Sequence, residues 1–344
     1  MFRAILVLAL SQIVLGHSGK QYSTFYDKED SRDFYKRIGA IVRNSSAPWK
    51  AGVYSKPPSY FHSGSIDLPP EAEDLPIVAV YGDLQLPQAF DARTRWPLCQ
   101  SIRDIRNQGC CGSCYAVSAA SAMTDRYCIH SHRHETFVFA SFEMISCCQS
   151  CGYGCNGGFM GASWQYWVAH GISSGGPIDS HQCCHPYPVD VCSRTGGKTV
   201  PTPACSTKCQ PYYNVTDDVY DRRYGSVAYR IHDWEYHIMA EIYENGPVQV
   251  DFDIYEDFFA YKGGVYRHVT GKKENGHAVK LIGWGVANVN GYAVKYWLAA
   301  NSWGPEWGER GFFRIVRGEN HCGIEKGVYA GLPDYHKHKR MTVE

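Results

Sequence analysis

The sequence has no cysteine before Cys99, no net charge, no internal repeat and no later apolar run of membrane-spanning length. Each absence excludes something. Lys and Arg total 34 and Asp and Glu total 34, so no field of one sign draws nucleic acid or an anionic bilayer. Beyond residue 16 no stretch reaches the roughly 18 apolar residues of a helical span. The lack of a repeat removes solenoids and propellers. Residues 17–60 are polar and have no cysteine, so this part can build neither a core of its own nor a disulfide staple.

What is present points to a precursor. The chain has 344 residues, 44% hydrophobic and 20% charged, enough for a two-part folded body behind a shorter leader. Residues 1–16, MFRAILVLALSQIVLG, carry one Arg before an apolar run and end on a small residue, the pattern of a secretory signal. Helical character around Ser31–Val42 is followed by Pro57-Pro58, Pro69-Pro70 and the extended-looking Leu75–Leu86. Residues 17–85 therefore read as a removable prosegment, with a flexible tail as the plainer alternative. From Leu86 the content of Trp, Cys and Gly rises. Fifteen cysteines suit an oxidising compartment, and the odd count leaves at least one thiol free within a single chain.

The periodicity predicts a helix over Gly112–Asp125 and strands over Val248–Ile254, Ala278–Gly283, Val294–Ala300 and Gly311–Val316. Residues 177–213 have no period and read as a long loop held by disulfides. The mature part, 86–344, should be α+β, with a helical half over roughly 86–226 and a β-rich half over 227–344.

The chemistry concentrates in Gln108-Gly109-Cys110-Cys111-Gly112-Ser113-Cys114-Tyr115. Cys114 would open a helix, where unpaired N–H groups favour a thiolate. A thiolate attacking an acyl carbon needs a base that later serves as acid, and His277 in Asn275-Gly276-His277-Ala278 fits that need. Asn301, in Asn301-Ser302-Trp303-Gly304, can orient the ring. Gln108 can donate to a developing oxyanion beside the Cys114 N–H. Alone, a cysteine at a helix start is more often structural, and a single histidine is more often a surface residue. The order Gln, Cys, His, Asn reverses those readings.

From Leu86 to about Pro333 the chain resembles the cathepsin B-like enzymes of the papain superfamily, and more narrowly the gut proteases of blood-feeding worms. The likeness rests on LPQAFDARTRWPLC, TDRYCIH, CGYGCNGG, EIYENGPV, GGVYRHVTG, GHAVKLIGWG, YWLAANSWGPEWGERGFF and ENHCGIE. Before Leu86 it rests on Trp49-Lys50-Ala51-Gly52. It implies a papain-like fold: a helical left domain, a β-barrel-like right domain, an active-site cleft between them and a prosegment that inhibits until cleavage near Leu86. It implies cysteine endopeptidase action on proteins or peptides, as a monomer without metal or organic cofactor, in a lysosome or outside the cell. Gly157, Gly158, Gly276 and Ala278 would meet extended substrate, and Trp303 would line the leaving-group side. Implied disulfides are Cys99–Cys128, Cys111–Cys155, Cys147–Cys205, Cys148–Cys151 and Cys184–Cys209. Cys110, Cys183, Cys192 and Cys322 are left over, and a Cys183–Cys192 pair is the expectation. A zinc site over Cys147–Cys155 is the rival reading.

Three departures from the family pattern, and two glycosylation sequons, carry expectations. The two adjacent histidines that hold a substrate's terminal carboxylate in cathepsin B are missing from Cys192–Gly197; His181, His185 and Arg194 lie nearby but not in place. Dipeptide release from the C-terminus should be weak or absent. The acidic residue of the family's pocket for the second residue before the scissile bond aligns with Gly327, while Asp251 aligns with a small one, so Asp251 is a candidate to accept a basic side chain. Tyr115 replaces a Trp and needs a partner for its hydroxyl. Asn44 and Asn214 open glycosylation sequons. The alternative to a working enzyme is a papain-like binding or decoy protein.

Overall fold

The computed structural model describes residues 30–67, 75–80, 82, 84–131, 135–192 and 196–337. The signal expected at 1–16, Pro69-Pro70 and Arg194 lie outside the described residues.

The N-terminal segment forms α1 (Ser31–Asn44), β1 (Trp49–Ala51) and β2 (Ile77–Val78). The Asp30 carboxylate accepts the Arg32 N–H at 2.8 Å and caps α1. Phe34, Tyr35, Ile38 and Val42 make one buried stripe along it. Of the extended-looking Leu75–Leu86, only Ile77–Val78 is strand among the described residues.

The body begins with β3 (Phe90–Asp91) and α2 (Ala92–Arg95). Its helical lobe holds α3 (Cys114–His130), α4 (Phe142–Ser146) and α5 (Met160–His170). β4 (Gly175–Gly176) and β5 (His185–Pro186) pair within the long loop. Every residue of α3 from Cys114 to Cys128 is buried, so it is the axis of that lobe. It runs five residues past the predicted Asp125, because a helix wrapped on all sides has no polar face to mark its end.

The second lobe holds β6 (Tyr224–Ile231), α6 (Glu235–Asn245), β7 (Val248–Tyr255) and β8 (Tyr261–Tyr266). It continues with β9 (Lys273–Val289), β10 (Tyr292–Ala300), β11 (Phe312–Val316) and β12 (Val328–Asp334). The sheet order is β1-β8-β11-β10-β9-β7-β12-β6-β2, with β3 added on β9. Asn290 and Gly291, both at positive φ, turn β9 into β10 in a two-residue hairpin. Both outermost strands of this path, β1 and β2, belong to the N-terminal segment. The division at 226/227 is not clean, since Phe90–Asp91 pairs with Trp284 and Gly283 in the β lobe.

Buried polar contacts fix the lobes to each other. Lys280 of β9 meets Asp125 of α3 at 2.5 Å, both fully buried. Arg126 of α3 donates to Glu241 of α6 at 2.5 Å and to the Gly331 carbonyl of β12 at 2.7 Å. Gln249 of β7 donates to the Tyr115 carbonyl and the Ser118 hydroxyl, each at 2.7 Å. These ties hold the first turn of α3 in register with β7 and β9.

Candidate active site

Cys114 is the first residue of α3, buried, with its thiol free. The turn before it is held by the Cys111–Cys155 disulfide and by the Gly112 N–H bonded to the Cys155 carbonyl at 2.8 Å. Three backbone N–H groups reach its sulfur, those of Ala278, Gly64 and Tyr115; the Gly64 nitrogen is 3.1 Å away. The Ala278 contact brings the opposite lobe to the nucleophile, and His277 is the residue before it in β9.

His277 is fully buried, and its Nε2 lies 2.7 Å from Asn301 Oδ1. That oxygen also accepts the Ser302 N–H at 2.8 Å, which fixes the amide's orientation. A carboxamide oxygen only accepts, so Nε2 carries the hydrogen and Nδ1 is the basic nitrogen of the neutral ring. Nδ1 has no hydrogen-bond partner. Trp303 stacks on the ring at 4.7 Å and 25° and closes it from water.

Burial sets the electrostatics. It pushes the Cys114 thiol up to about 11, against the pull of the three N–H groups. It pushes the His277 imidazole down to about 4, against the Asn301 bond. Burial under the N-terminal segment thus disfavours the charged form of both groups.

The cover is the N-terminal segment. Gly64–Ile66 runs extended over the site. The Gly64 carbonyl accepts the Gly158 N–H at 2.9 Å, the Ile66 N–H donates to the Gly158 carbonyl at 3.0 Å, and the Ser65 N–H donates to the Gly276 carbonyl at 3.1 Å. Trp303 Nε1 donates to the His62 carbonyl at 2.8 Å. Gly64 lies so close that a Cβ there would sit 2.1 Å from the Gly112 carbonyl oxygen. Gly157, at φ +107°, faces Ile66.

Gln108 is fully buried. Its Oε1 accepts from Ser302 Oγ at 2.5 Å, and its Nε2 donates to the Cys111 carbonyl at 2.9 Å, leaving the second amide hydrogen uncommitted. Tyr115 donates its hydroxyl to the Gly154 carbonyl at 3.2 Å. Asp251 pairs with Ala278 across β7 and β9. Its Oδ1 lies 2.4 Å from where a Cβ on Gly327 would be, so the Asp251 carboxylate fills the space a side chain at 327 would take. Burial, then the neighbouring Asp67 carboxylate, holds Asp251 well above the usual carboxylate range. His185 is buried against Ser173 and the Lys208 carbonyl, and the exposed His181 ring packs on Tyr212. Asn44 and Asn214 are exposed.

The structure joins Cys99–Cys128, Cys111–Cys155, Cys147–Cys205, Cys148–Cys151 and Cys184–Cys209, so the Cys147–Cys155 cluster offers no thiolates to zinc. The expected Cys183–Cys192 pair is wrong. Cys192 joins Cys110, whose Cα is 4.9 Å away, and Cys183 and Cys322 are free thiols. The chain after Tyr187 folds back over Gly109, which brings Cys192 to Cys110; nothing in the spacing signals that return. Among the described residues two clusters have metal-ligand spacing, His62/Cys110/Cys192 and Glu143/His185/Asp218. In the first the sulfurs are bonded to each other. In the second Arg222 bridges Glu143 at 3.3 Å and Asp218 at 2.9 Å, taking the place of a cation. Sequence reasoning missed Tyr187, Ser113 and the role of Ser302 around Gln108. Ser113 and Ser302 lay inside recognised motifs, and Tyr187 did not.

Residues 86–332 match the family model described as papain family cysteine protease. The chain is 45% identical to a cathepsin B-like cysteine proteinase of Schistosoma japonicum, over 73% of this chain and 74% of that one. It is 41% identical to cathepsin B-like cysteine proteinase 5 of Caenorhabditis elegans, over 86% of this chain and 90% of the relative. Among solved structures, procathepsin B S9 of Trypanosoma congolense superposes with a TM-score of 0.75 at 34% identity, covering 89% of this chain and 99% of that one. The fold is also that of a digestive procathepsin L2 from Tenebrio molitor, with a TM-score of 0.65, 24% identity and coverage of 87% and 89%. The chain belongs to the papain family of cysteine proteases and is a cathepsin B-like, cysteine-type peptidase in its zymogen form.

Proposed function

We propose that this zymogen yields a secreted or lysosomal endopeptidase whose nucleophile is Cys114 and whose base is His277. The supporting observation is the His277 ring: Nε2 is committed to Asn301, the basic Nδ1 is unpartnered, and the next residue's N–H reaches the Cys114 sulfur. Once the segment over the cleft leaves, water and substrate replace it, and the desolvation that keeps both groups neutral falls. The Cys114 proton passes to Nδ1, and the imidazolium and the head of α3 hold the thiolate. Sulfur attacks the peptide carbonyl, and the oxyanion accepts from Gln108 Nε2 and the Cys114 N–H. His277 protonates the leaving amine, then takes a proton from water as that water attacks the thioester. Asn301 keeps the ring in the needed tautomer. Such a pair works at mildly acidic pH, where a free thiol is protonated. Cleavage near Leu86 releases residues 86–344.

Gly157, Gly158, Gly276 and Ala278 offer backbone to extended substrate, as Gly158 and Gly276 now do to Gly64–Ile66. Asp251 accepts a basic side chain in place of an acid at Gly327. With the paired histidines missing, the enzyme acts mainly within chains; efficient dipeptide release from an N-terminally blocked peptide would contradict this. Asn44 and Asn214 are the carbohydrate acceptors. The central test treats acid-activated protein with a peptidyl epoxide and maps the adduct by mass. Labelling at Cys114 with loss of peptidase activity is expected. Full activity after labelling, or an adduct confined to Cys183 or Cys322, would refute the assignment.

A further inference from the structure

Tyr187, Asp190, Cys192 and Val200 grip the turn that carries Gln108 at four points. The Tyr187 hydroxyl donates to the Gln108 carbonyl at 2.8 Å. The Asp190 carbonyl lies where a Cβ on Gly109 would come within 2.3 Å, so the turn accepts only glycine, which also holds φ at +58°. Cys192 is bonded to Cys110. The Val200 N–H donates to the Cys110 carbonyl at 2.8 Å.

The phenol of Tyr187 does more than hold one carbonyl. Its oxygen is also 2.8 Å from Ser113 Oγ. Its single hydrogen goes to Gln108, so Ser113 must donate to it. A buried chain therefore runs from the Ser113 hydroxyl through the Tyr187 hydroxyl to the Gln108 carbonyl. Ser113 precedes Cys114, whose N–H is one oxyanion donor, and Gln108 supplies the other. One phenol thus sets the spacing between the two donors. Tyr187 is itself held from behind, its N–H bonded to the Gly176 carbonyl at 2.9 Å, and its segment is fastened at both ends by Cys184–Cys209 and Cys110–Cys192.

We propose that residues 187–192 are a strap that positions the oxyanion donors, with Tyr187 and the Cys110–Cys192 disulfide as its positioning residues. The strap acts on the step in which the carbonyl oxygen gains charge, not on thiolate formation or ground-state binding. This rests on the acyl-transfer reading above. An inactive wild-type enzyme would remove that reading, whereas active variants equal to wild type would remove only the strap.

The test compares activated wild type, Tyr187→Phe and the double variant Cys110→Ser/Cys192→Ser. Three readouts are used: kcat and KM on a peptide amide, inhibition by the matching peptide aldehyde, and alkylation of Cys114 by iodoacetamide. Displacement at iodoacetamide develops no oxyanion. Each variant should lose about tenfold in kcat with KM within twofold, a modest share of the 10²–10³ for deleting a donor outright. The aldehyde should weaken by the same factor, and the alkylation rate and its pH profile should not move. Unchanged kcat and aldehyde affinity in both variants would overturn the proposal. So would an alkylation rate that falls in step with kcat, because the nucleophile itself would then be disturbed. Should the double variant fail to fold, Tyr187→Phe decides alone, since it removes one oxygen and no bond of the chain.

Discussion

Residues 30–67 meet the body through backbone hydrogen bonds, an apolar helix face and a few stacked rings, whereas residues 99–209 are tied to one another by disulfides. β1 pairs with β8, Trp49 Nε1 donates to the Arg267 carbonyl at 2.8 Å, and Phe61 packs on Trp303 at 5.0 Å. None of these contacts is covalent. The body, by contrast, closes six bridges among the described residues and buries the Asp125–Lys280 and Arg126–Glu241 pairs between its lobes. The difference teaches how one chain can shed a part without loosening the rest. The cover is adhesive along its whole length and stapled nowhere, while the cleft it leaves is fixed in advance.

The largest expected effect follows from removing the cover. In the covered form the thiol sits near 11 and the imidazole near 4, so alkylation of Cys114 should be slow and flat across neutral pH. In protein cut near Leu86 it should be at least about a thousandfold faster at pH 6, as expected of a histidine-paired thiolate. Iodoacetamide rates on the two forms from pH 4 to 9 check this, and equal rates would erase the contrast.

The next effect breaks the body. Lys280→Ala leaves the Asp125 carboxylate buried without its ammonium partner, at a cost of about 3–5 kcal/mol. Denaturant unfolding of the mature domain measures it. A loss below about 1 kcal/mol would mean that this buried pair does little to hold the lobes together.

Smaller is a break in the cover. Gly64→Val drives a side chain into the Gly112 carbonyl, and should weaken inhibition of the mature enzyme by a peptide spanning residues 30–67 about tenfold. Inhibition constants for the two peptides decide it.

The smallest effects belong to Asp251. Asp251→Ala should lower the Arg-Arg over Phe-Arg reporter ratio about threefold, the scale of one partly exposed charge contact. The same variant sharpens the pH contrast. The docked state holds Asp251 protonated above its ordinary range, so docking takes up a proton. Docking is strongest below the ordinary carboxylate range and weakens as pH rises from there to about 8. Asp251→Ala should flatten that dependence in the inhibition constant of the 30–67 peptide.

The sequence made some elements legible and not others, for physical reasons. Helical character over Ser31–Val42 was legible, and the structure gives α1 one buried stripe and one wet face. Strands around Val248, Ala278, Val294 and Phe312 announced themselves by β-branched and aromatic content. α5 was not foreseen, since Trp164 and Trp167 are buried within a run that has no polar face. The full length of β9 and β10 was missed although Asn290-Gly291 marked their turn. In the site, Cys114 and Gln108 stood out in one motif and His277 and Asn301 each in another; the structure bonds His277 to Asn301 and Gln108 to Ser302, the residue after Asn301. Tyr187 and the Cys110–Cys192 bridge had no local signal. Their role comes from a loop return that no period encodes.

Under the proposed cleavage near Leu86, the two outermost strands of the main sheet path, β1 and β2, leave with the cover. The mature enzyme is then bordered by two bare rims of amide and carbonyl groups along β8 and β6, each a template on which a stray strand can be laid. Lys262 on one rim and Arg230 on the other supply charge against such growth. Maturation as proposed would therefore exchange a sheet with covered rims for one whose rims are open to strand addition.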